Sequence, residues 1–540
     1  MFPVILEIHL KTNNKINVNH QLDIDKVLNN IQIRQWLLYV VMASIVVICA
    51  YESILGVFQL IGCRPSNHYL YAITGSFDNP GPYGGFLAIC VSVIGAYVIN
   101  NKPQADTSLF YKAVFWIMSV VALFGLMILP STQSRTAILA LVISISLLAF
   151  GTKSIRMKIK PIIRKYGIRI ILVSIALGTS AYLFKKPSAD GRLFMDRISI
   201  MTIWNNGLKG VGRGHFGGAY GETQARYFQN QIRENGNNDL DWTAINEHER
   251  MTAECPDNAF NEYLFIGVEY GLIVMLLFIA VIILAILISF KRRTVWCYGM
   301  TAFAVFALFS YPLHVTQFQI LFPILLLACI SDTRRECNKN RKLLDIIGLS
   351  VLSILLVTLS AIQIVKLPEI RQHKWAEAAW KKAERWYQME YYDYVVEDCD
   401  SLLPYMKTNQ QFLFAYGQSL NKIGNYEKSD SILKLGTEIS SDPMFWNVMG
   451  NNSLALGRYR EAEERYKHAF YMVPNRLYPL TLLAKLYHTE GDTVRFLDMA
   501  EKVETFVPKI ENANTERLRA EISEIREGYN IEAIKKDEEQ

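Results

Sequence analysis

The chain has 540 residues, of which 51% are hydrophobic and 20% are charged, so long apolar segments alternate with strongly polar ones. The formal net charge of +6 is small for this length, and the basic residues stand in clusters beside apolar segments, which argues against a nucleic-acid-binding surface. This composition excludes a uniform soluble protein and favours a membrane part followed by a soluble part, with the boundary near Leu367-Pro368.

The membrane part is predicted from the apolar segments. Residues 1–34 are polar, lack the features of a cleavable signal peptide and are expected to form a cytoplasmic leader. About nine segments then follow that can cross a bilayer as helices of roughly 20 residues. They are residues 36–62, 84–100, 112–130, 136–151, 168–184, 259–290, 294–312, 316–331 and 343–365. We therefore predict an all-α fold with a polytopic transmembrane helical bundle over residues 35–366.

The orientation of the bundle follows from lysine and arginine, which accumulate in cytoplasmic loops. Basic clusters lie at residues 153–169, 291–293 and 334–342. When the spans alternate, all three clusters fall on the cytoplasmic side together with the N-terminus. The large loop 185–258 and the chain after residue 366 then lie on the outer side.

Four polar segments between spans share this outer face: residues 75–80, 131–135, 185–258 and 310–314. A transporter places its polar groups near the middle of the membrane, on broken helices. Here the unusual polar residues gather at one interface instead. The sequence therefore predicts an active site at the outer surface of the membrane.

Cationic residues make an anionic ligand the expected occupant of this site. Arg135 begins a span just after Pro130, and a charged residue at the edge of the hydrocarbon is a functional candidate. The large loop opens with four more cations, Lys185, Lys186, Arg192 and Arg197. A glycine-rich run at residues 207–220 follows, and backbone N–H groups in such a run can surround a phosphate that guanidinium groups also bind.

The end of the loop supplies polar residues to the next membrane helix. Asn258 and Asn261 are suited to cap that helix. Glu262 and Glu269 near a membrane face are costly unless paired, so an arginine partner is expected for each. Three outer histidines are candidate general bases, although none has a base-specific signature: His215, His248 and His314.

Five short motifs resemble the O-antigen ligase and O-antigen polymerase superfamily, particularly ligase-like members fused to tetratricopeptide repeats. In chain order they are Gly75-Ser-Phe-Asp-Asn-Pro80, Thr132-Gln-Ser-Arg135, Gly191-Arg192, Gly210-Val-Gly-Arg-Gly-His-Phe216 and Phe260-Asn-Glu-Tyr-Leu264 with Glu269-Tyr-Gly271. The resemblance covers about residues 35–335, and the order and spacing of the motifs between spans make it specific.

The resemblance implies a metal-independent glycosyltransferase without a cofactor, located in the bacterial inner membrane. Such an enzyme moves a glycan from a polyprenyl (undecaprenyl) pyrophosphate carrier to a glycan, lipid or protein acceptor at the periplasmic face. Arg135 and Arg192 would hold the pyrophosphate, with Arg197 and Arg213 as lesser candidates, because fixed cations stabilise the charge of the leaving group. The matching residues Asn261, Tyr263 and Glu269 complete the predicted substrate-binding set, and no nucleic acid is expected as a partner.

The sequence departs from this family at the expected catalytic base. Many ligases carry a His-Asn pair where this chain has Phe260-Asn261. In the predicted order, His215, Glu262 or His314 replaces the missing histidine. A polymerase and a protein O-glycosyltransferase remain open as alternatives, as does a non-catalytic scaffold of polysaccharide assembly, which the missing histidine favours and the retained arginines disfavour.

The soluble part, residues 367–540, is built from repeats. Gly424-Asn-Tyr426, Gly457-Arg-Tyr459 and Gly491-Asp492 recur at intervals of 33 and 34 residues, and Pro474 and Pro508 are again 34 residues apart. This period is typical of tetratricopeptide helix pairs. We predict a periplasmic α-solenoid of about three to four units over residues 375–509, with a concave face for a protein partner and a capping helix after it.

Overall fold

The computed structural model describes residues 18–184, 186–236, 240–331 and 367–538, and these residues form helices joined by turns. Within these ranges no β-strand occurs, which confirms the all-α prediction. Residues 1–17 of the predicted leader, Lys185, the basic cluster 334–342 and the predicted span 343–365 lie outside the described residues.

The α-helices of the described residues up to position 331 are α1 (Val18–Leu60), α2 (Pro80–Asn100), α3 (Leu109–Ile128), α4 (Arg135–Gly151), α5 (Lys153–Phe184), α6 (Lys186–Asn206), α7 (Phe216–Asn235), α8 (Glu247–Thr252), α9 (Glu262–Tyr270), α10 (Leu272–Lys291), α11 (Trp296–Ala307) and α12 (Thr316–Ser331). The next nine are α13 (Leu367–Gln388), α14 (Tyr392–Met406), α15 (Gln410–Lys422), α16 (Tyr426–Ile439), α17 (Met444–Ala455), α18 (Tyr459–Met472), α19 (Tyr478–Glu490), α20 (Thr493–Thr505) and α21 (Ala513–Glu538).

Contacts divide the chain into two compact units. The membrane unit consists of Met1–Ser174 and Ile279–Ser353, and the loop–array unit consists of Ile175–Phe278 and Ile354–Gln540. The second unit thus combines the whole of the large loop 185–258 with the C-terminal helices. The domain boundary near residue 367 stays a prediction. The association of the loop with the C-terminal helices is an additional finding.

Among the described residues, four helical segments are long and apolar enough to cross a membrane: Gln35–Leu60, Pro80–Asn100, Leu109–Thr132 and Leu272–Lys291. A fifth span is possible if α4 and the first half of α5, which meet at an angle of 103°, are counted together. Helices α11 and α12 are apolar but shorter. The predicted segment 259–290 is not one continuous helix, because the chain breaks at Gly271 between α9 and α10. The prediction of about nine spans therefore stays a prediction.

In the membrane unit, side chains of α1 hold the motif at residues 75–80. The Gln59 side chain accepts hydrogen bonds from the backbone N–H groups of Thr74 (2.9 Å) and Gly75 (2.7 Å) and donates to the Gly75 carbonyl (2.9 Å). The Glu52 carboxylate accepts from the backbone N–H of Ser76 (3.0 Å) and from its hydroxyl. Gly75 has a φ of +57° and no room for a Cβ atom, since Tyr83 and Glu52 lie against it. This motif therefore has a structural role on α1.

The motif leads directly into α2, whose first turn packs against the start of α4. Asn79 caps α2, and its side chain accepts a hydrogen bond from the Gly81 N–H group at 2.8 Å. Gly84, one turn later, approaches the Thr132 and Ser134 side chains so closely that a Cβ atom would overlap the Thr132 hydroxyl. Arg135 follows at the first position of α4. The first two motifs of the predicted family thus lie together within the membrane unit.

In the loop–array unit, helices α13 to α20 each pack against the next helix along the chain. We call residues 367–512, which contain these helices, the turns between them and the segment after α20, the array. Gly424, Gly457 and Gly491 have positive φ values in the turns inside successive helix pairs, where residues with a Cβ atom are disfavoured. Helix α21 contacts α19 and α20 and so covers the last pair. The helix–turn–helix order agrees with the period read from the sequence, and its assignment to the tetratricopeptide class stays a prediction.

We predict that Gln59→Leu destabilises the membrane unit by about 2–5 kcal/mol, because two buried N–H groups and one carbonyl lose their partner. The melting temperature of the detergent-solubilised protein measures the effect. Gln319→Leu is the control, since Gln319 is exposed and donates only to the Leu313 carbonyl at 2.8 Å. Equal melting temperatures for the two variants would contradict the prediction.

Candidate functional site

The candidate site is a groove of about 510 Å³ in the loop–array unit. Its wall comes from the start of α6, from α8 and the turn after it, and from the segment that leads into α9. The array contributes Lys509. A volume of this size is in the range that small-molecule sites occupy. We call this cavity the Arg192 groove, after the arginine on α6 that lines it.

Three cationic side chains line the Arg192 groove: Lys186 and Arg192 from α6, and Lys509 from the chain after α20. Two carboxylates, Asp190 and Glu254, line it as well, and Lys509 forms an ion pair with Glu254. The three cations exceed the two carboxylates by one charge, and Lys186 and Arg192 are the cations that Glu254 does not balance. The wall is suited to bind an anion.

Arg192 lies over the ring of Phe260, with 5.3 Å between the guanidinium carbon and the ring centroid. Phe260 has a φ of +48°, which is unusual for a residue with a bulky side chain, and its N–H donates to the Asn258 side chain at 3.1 Å. Asn261 then caps α9, and its side-chain oxygen accepts from the Leu264 N–H at 3.3 Å. The turn before α9 thus presents the Phe260 ring to the guanidinium group, which positions both in the groove wall.

Asp196 lies one turn after Arg192 on α6, and its carboxylate accepts a hydrogen bond from the Asn261 side chain at 3.4 Å. Burial raises the pKa of Asp196 to about 6, although Asn261 and Arg192 act in the opposite direction. Asn261 therefore links α9 to α6 in addition to capping its own helix. Sequence reasoning named Asn261 but did not identify Asp196.

Arg197 is part of an ion-pair network. Its guanidinium contacts the Glu249 carboxylate at 2.5 Å and lies 5.0 Å from the Tyr227 ring centroid. Glu249 also accepts from the Tyr227 hydroxyl (2.6 Å) and from Gln231 (2.9 Å). This network joins α6, α7 and α8. Arg197 is absent from the lining of the Arg192 groove, and its charge is balanced by Glu249.

The backbone N–H groups of the glycine-rich run are used inside the fold. Val211 and Gly212 donate to the carbonyls of Val268 and Glu269, each at 2.9 Å. Gly214 donates to the Glu269 carboxylate at 2.7 Å. These donors were expected to surround a phosphate, but they bind the end of α9 instead. Arg213, in the same run, is exposed.

His215 and Arg192 line different cavities. His215 precedes α7, its Nδ1 atom lies 3.0 Å from the Arg213 carbonyl oxygen, and it lines a groove of about 330 Å³ with Glu222 and His468. The histidine that lines the Arg192 groove is His248 on α8. The sequence named His248 as one of three outer histidines, but no local signal distinguished it.

The remaining candidates on α9 are buried. Glu262 and Glu269 are only 2% and 3% exposed, and the Tyr263 ring packs at 5.8 Å from the ring of Phe278. Arg135 and His314 belong to the membrane unit. His314 is exposed and ends the short 3-10 helix Pro312–His314, with its ring 6.4 Å from that of Tyr311.

Contacts between the loop and the array were not anticipated from the sequence. Arg250 on α8 is 4% exposed, and its Nη1 atom donates to the carbonyls of Val507 (2.9 Å) and Pro474 (3.5 Å) in the array. In return, the Asn475 side chain donates to the carbonyls of Arg250 (2.8 Å) and Ala253 (2.9 Å). The array therefore fixes the chain directly after His248, at Arg250 and Ala253.

Helix α7 adds a second contact with the array. Gly217 and Gly218 lie against the backbone at Ile439 and Glu438, and a Cβ atom at either glycine would overlap a carbonyl oxygen. Buried residues of the loop and the array, including Phe216, Phe228, Tyr466 and Phe470, belong to one hydrophobic core. The loop and the array are thus packed as one body. No group of three or more metal-ligating side chains occurs among the residues that the structure describes.

We predict that Arg250→Met destabilises the loop–array unit by about 1–3 kcal/mol, because two carbonyl groups lose a charged donor. Limited proteolysis of the purified protein, with cleavage inside residues 240–256 as the readout, measures this loosening. Arg226→Met is the control, since Arg226 is 63% exposed and pairs only with Glu222 on its own helix. Equal cleavage rates in the two variants would contradict the anchoring role.

We also predict a pH-dependent effect of Asp196→Asn. The pKa of about 6 lies above the unfolded value of about 4, so the folded state binds this proton more tightly, and the free energy of unfolding falls as the pH rises from about 4 to about 6. The variant does not lose this stability. Its free energy of unfolding, compared with that of the wild type, should therefore be about 2 kcal/mol more favourable at pH 7 than at pH 4. Thermal unfolding between pH 4 and 7 tests this, with exposed Asp498→Asn as control. Parallel pH curves for Asp196→Asn and the wild type would exclude the effect.

Residues 118–279 match the family model of the O-antigen ligases. The matched segment starts in α3 and ends in α10, so it includes Arg135, the Arg192 groove except Lys509, and every predicted site residue but His314. The resemblance predicted from the motifs is confirmed over this segment, and the match does not extend to the array. No curated protein matches the chain.

Proposed function

We propose, from the O-antigen ligase domain that the chain carries over residues 118–279, that the protein is a membrane glycosyltransferase. It transfers a glycan from a polyprenyl-pyrophosphate carrier to an acceptor hydroxyl at the periplasmic face of the bacterial inner membrane. The observation that carries the proposal is the cation-rich Arg192 groove, which lies almost entirely within the matched segment. The membrane unit has helices long and apolar enough to cross a bilayer, which supports a lipid-linked donor.

The groove suits the chemistry of this transfer. When the acceptor oxygen attacks the anomeric carbon, the bond from that carbon to the pyrophosphate breaks, and negative charge develops on the leaving phosphate. Arg192, held against Phe260, donates two N–H groups to phosphate oxygens, and Lys186 on the same helix adds positive charge. Lys509 lines the groove as a partner of Glu254. Because Arg192 is held against Phe260 before the reaction, it stabilises the leaving group with little reorganisation.

The other site residues predicted from the sequence have different roles in this proposal. Arg135 is proposed to bind donor phosphate within the membrane unit, and Arg213 is a further exposed cation for the donor. Asn261, Tyr263 and Glu269 are proposed to shape the acceptor side of the site, and Arg197 to position α8 through Glu249. Among the bases predicted from the sequence, His215 lines another cavity, Glu262 is buried and His314 is in the membrane unit.

The same chemistry serves a polymerase or a protein O-glycosyltransferase, since these enzymes differ from a ligase in the acceptor and not in the leaving group. We further propose about nine membrane spans, with the array as a periplasmic tetratricopeptide solenoid whose concave face binds an acceptor or an assembly protein. The regular helix pairs and their glycine turns support this class of repeat.

We predict that Arg192→Ala lowers glycan transfer at least about 100-fold, because one fixed donor to the leaving group is lost. Arg192→Lys should lie in between, since it keeps the charge but loses the planar contact with Phe260 and with phosphate. The assay is complementation of a deletion strain at matched protein levels, with surface glycan and polyprenyl-linked precursor both measured.

Arg226→Ala is the matched control, because Arg226 is an exposed arginine of the same unit outside the groove lining. Arg135→Ala is measured in parallel as an independent test of the membrane unit. Wild-type levels of product in both Arg192→Ala and Arg135→Ala would overturn the transferase proposal and favour a non-catalytic scaffold.

A further inference from the structure

His248 projects from a short helix that several contacts hold in place. Helix α8 is capped by Asn246, whose side chain accepts from the Glu249 N–H at 3.1 Å. Glu249 binds Arg197 on α6, and Arg250 is inserted into the array. His248 lies between these anchored residues and lines the Arg192 groove with a 64% exposed side chain. An exposed imidazole on a fixed backbone is accessible to a ligand in that groove.

A buried carboxylate orients this imidazole. The His248 Nε2 atom lies 3.2 Å from the Asp190 carboxylate, and Asp190 is only 8% exposed. Asp190 also accepts a hydrogen bond from the Tyr182 hydroxyl. An ionised carboxylate accepts only, so Nε2 carries the hydrogen in this pair and Nδ1 keeps the lone pair in the neutral ring. The Asp190–His248 dyad therefore has the arrangement of a histidine base with an orienting acid.

The dyad shares its cavity with the cations proposed for the leaving group. Lys186, Asp190 and Arg192 come from neighbouring positions at the start of α6, while His248 faces them from α8. Phe260 lines the same groove and supports Arg192. The groove therefore brings together an imidazole, a buried carboxylate and a supported arginine.

We propose that His248, oriented by Asp190, is the general base that activates the acceptor hydroxyl; this rests on the proposed transferase function. The Nδ1 atom takes the proton of the acceptor hydroxyl, and the hydroxyl oxygen forms a bond to the anomeric carbon of the donor glycan. The bond from that carbon to the pyrophosphate breaks, and its electron pair leaves with the polyprenyl pyrophosphate held by Arg192. Asp190 stabilises the imidazolium until water takes the proton. His215, the first candidate from the sequence, lines a different cavity, which does not contain Arg192.

The test compares His248→Gln, His215→Gln and Arg192→Ala in the full-length purified protein, with polyprenyl-pyrophosphate-linked glycan as donor. We expect His248→Gln to lower kcat about 10²–10⁴-fold with the KM for the donor changed less than about threefold. His215→Gln should keep the wild-type kcat. His373→Gln is the matched control, since His373 also pairs with a carboxylate, Glu377 at 3.4 Å, but lies on α13 outside the groove.

Binding of inorganic pyrophosphate, measured by calorimetry on the same variants, separates the two proposals. Retained binding with lost turnover in His248→Gln supports the dyad, and lost binding in Arg192→Ala supports the anion site. Normal turnover in His248→Gln together with lost turnover in Arg192→Ala overturns the dyad and leaves the transferase intact. If the wild type forms no glycan product and binds no pyrophosphate, the proposed function fails and the dyad fails with it.

Asp190 is a positioning residue in this proposal, and its variants test the orientation directly. Asp190→Asn should lower kcat about 10–10²-fold without a change in pyrophosphate binding, and Asp190→Glu should recover part of that loss because it restores the negative charge. A purely structural role predicts instead that both variants lower thermal stability and retain kcat in the folded fraction. That result would overturn the assignment of Asp190.

Discussion

The insertion of Arg250 into the array is the interaction on which the geometry of the groove depends. Arg250 is only 4% exposed, so its guanidinium group needs hydrogen-bond acceptors within the protein. The Val507 and Pro474 carbonyls are these acceptors. The reciprocal bonds from Asn475 to the Arg250 and Ala253 carbonyls satisfy the backbone on the other side. Because of these contacts, the array and the loop together determine the position of α8.

The three consecutive residues His248, Glu249 and Arg250 point to three different partners. His248 meets Asp190 and the groove, Glu249 meets Arg197 and Tyr227, and Arg250 meets the array. A single turn of helix presents successive side chains about 100° apart, so three neighbours can face three surfaces. Helix α8 therefore connects α6, α7 and the array around the groove.

Local patterns in the sequence predicted much of this architecture. Hydrophobic segments identified most of the apolar helices, and the spacing of glycines located the turns of the array. The cluster of cations at the start of the large loop pointed to Arg192, which lines the groove, and its role as a phosphate ligand stays a prediction. The break at Gly271 was missed because one apolar segment covers both α9 and α10, and only the close approach of the Leu208 carbonyl to Gly271 reveals it.

Local sequence patterns could not predict the packing of the loop against the array, for a different reason. Gln224 donates to the Met472 carbonyl across 248 positions of sequence, and Arg250 reaches Val507 across 257. No periodicity of a single sequence reports such contacts. The same limit applies to His248, which differs from His215 only through the partners that the fold brings to it. The glycine-rich run was recognised, but the Glu269 carboxylate as the partner of its N–H groups was not.

The shared core of loop and array has a consequence for biogenesis. Ribosomes release the loop before the array, yet Phe216 and Phe228 are buried in one core with Tyr466 and Phe470, more than 200 residues later. The loop therefore lacks the array's part of this core during synthesis, and it completes folding only after the array has been translated. Its apolar side chains stay exposed in that interval, which makes the step prone to aggregation and sensitive to premature termination.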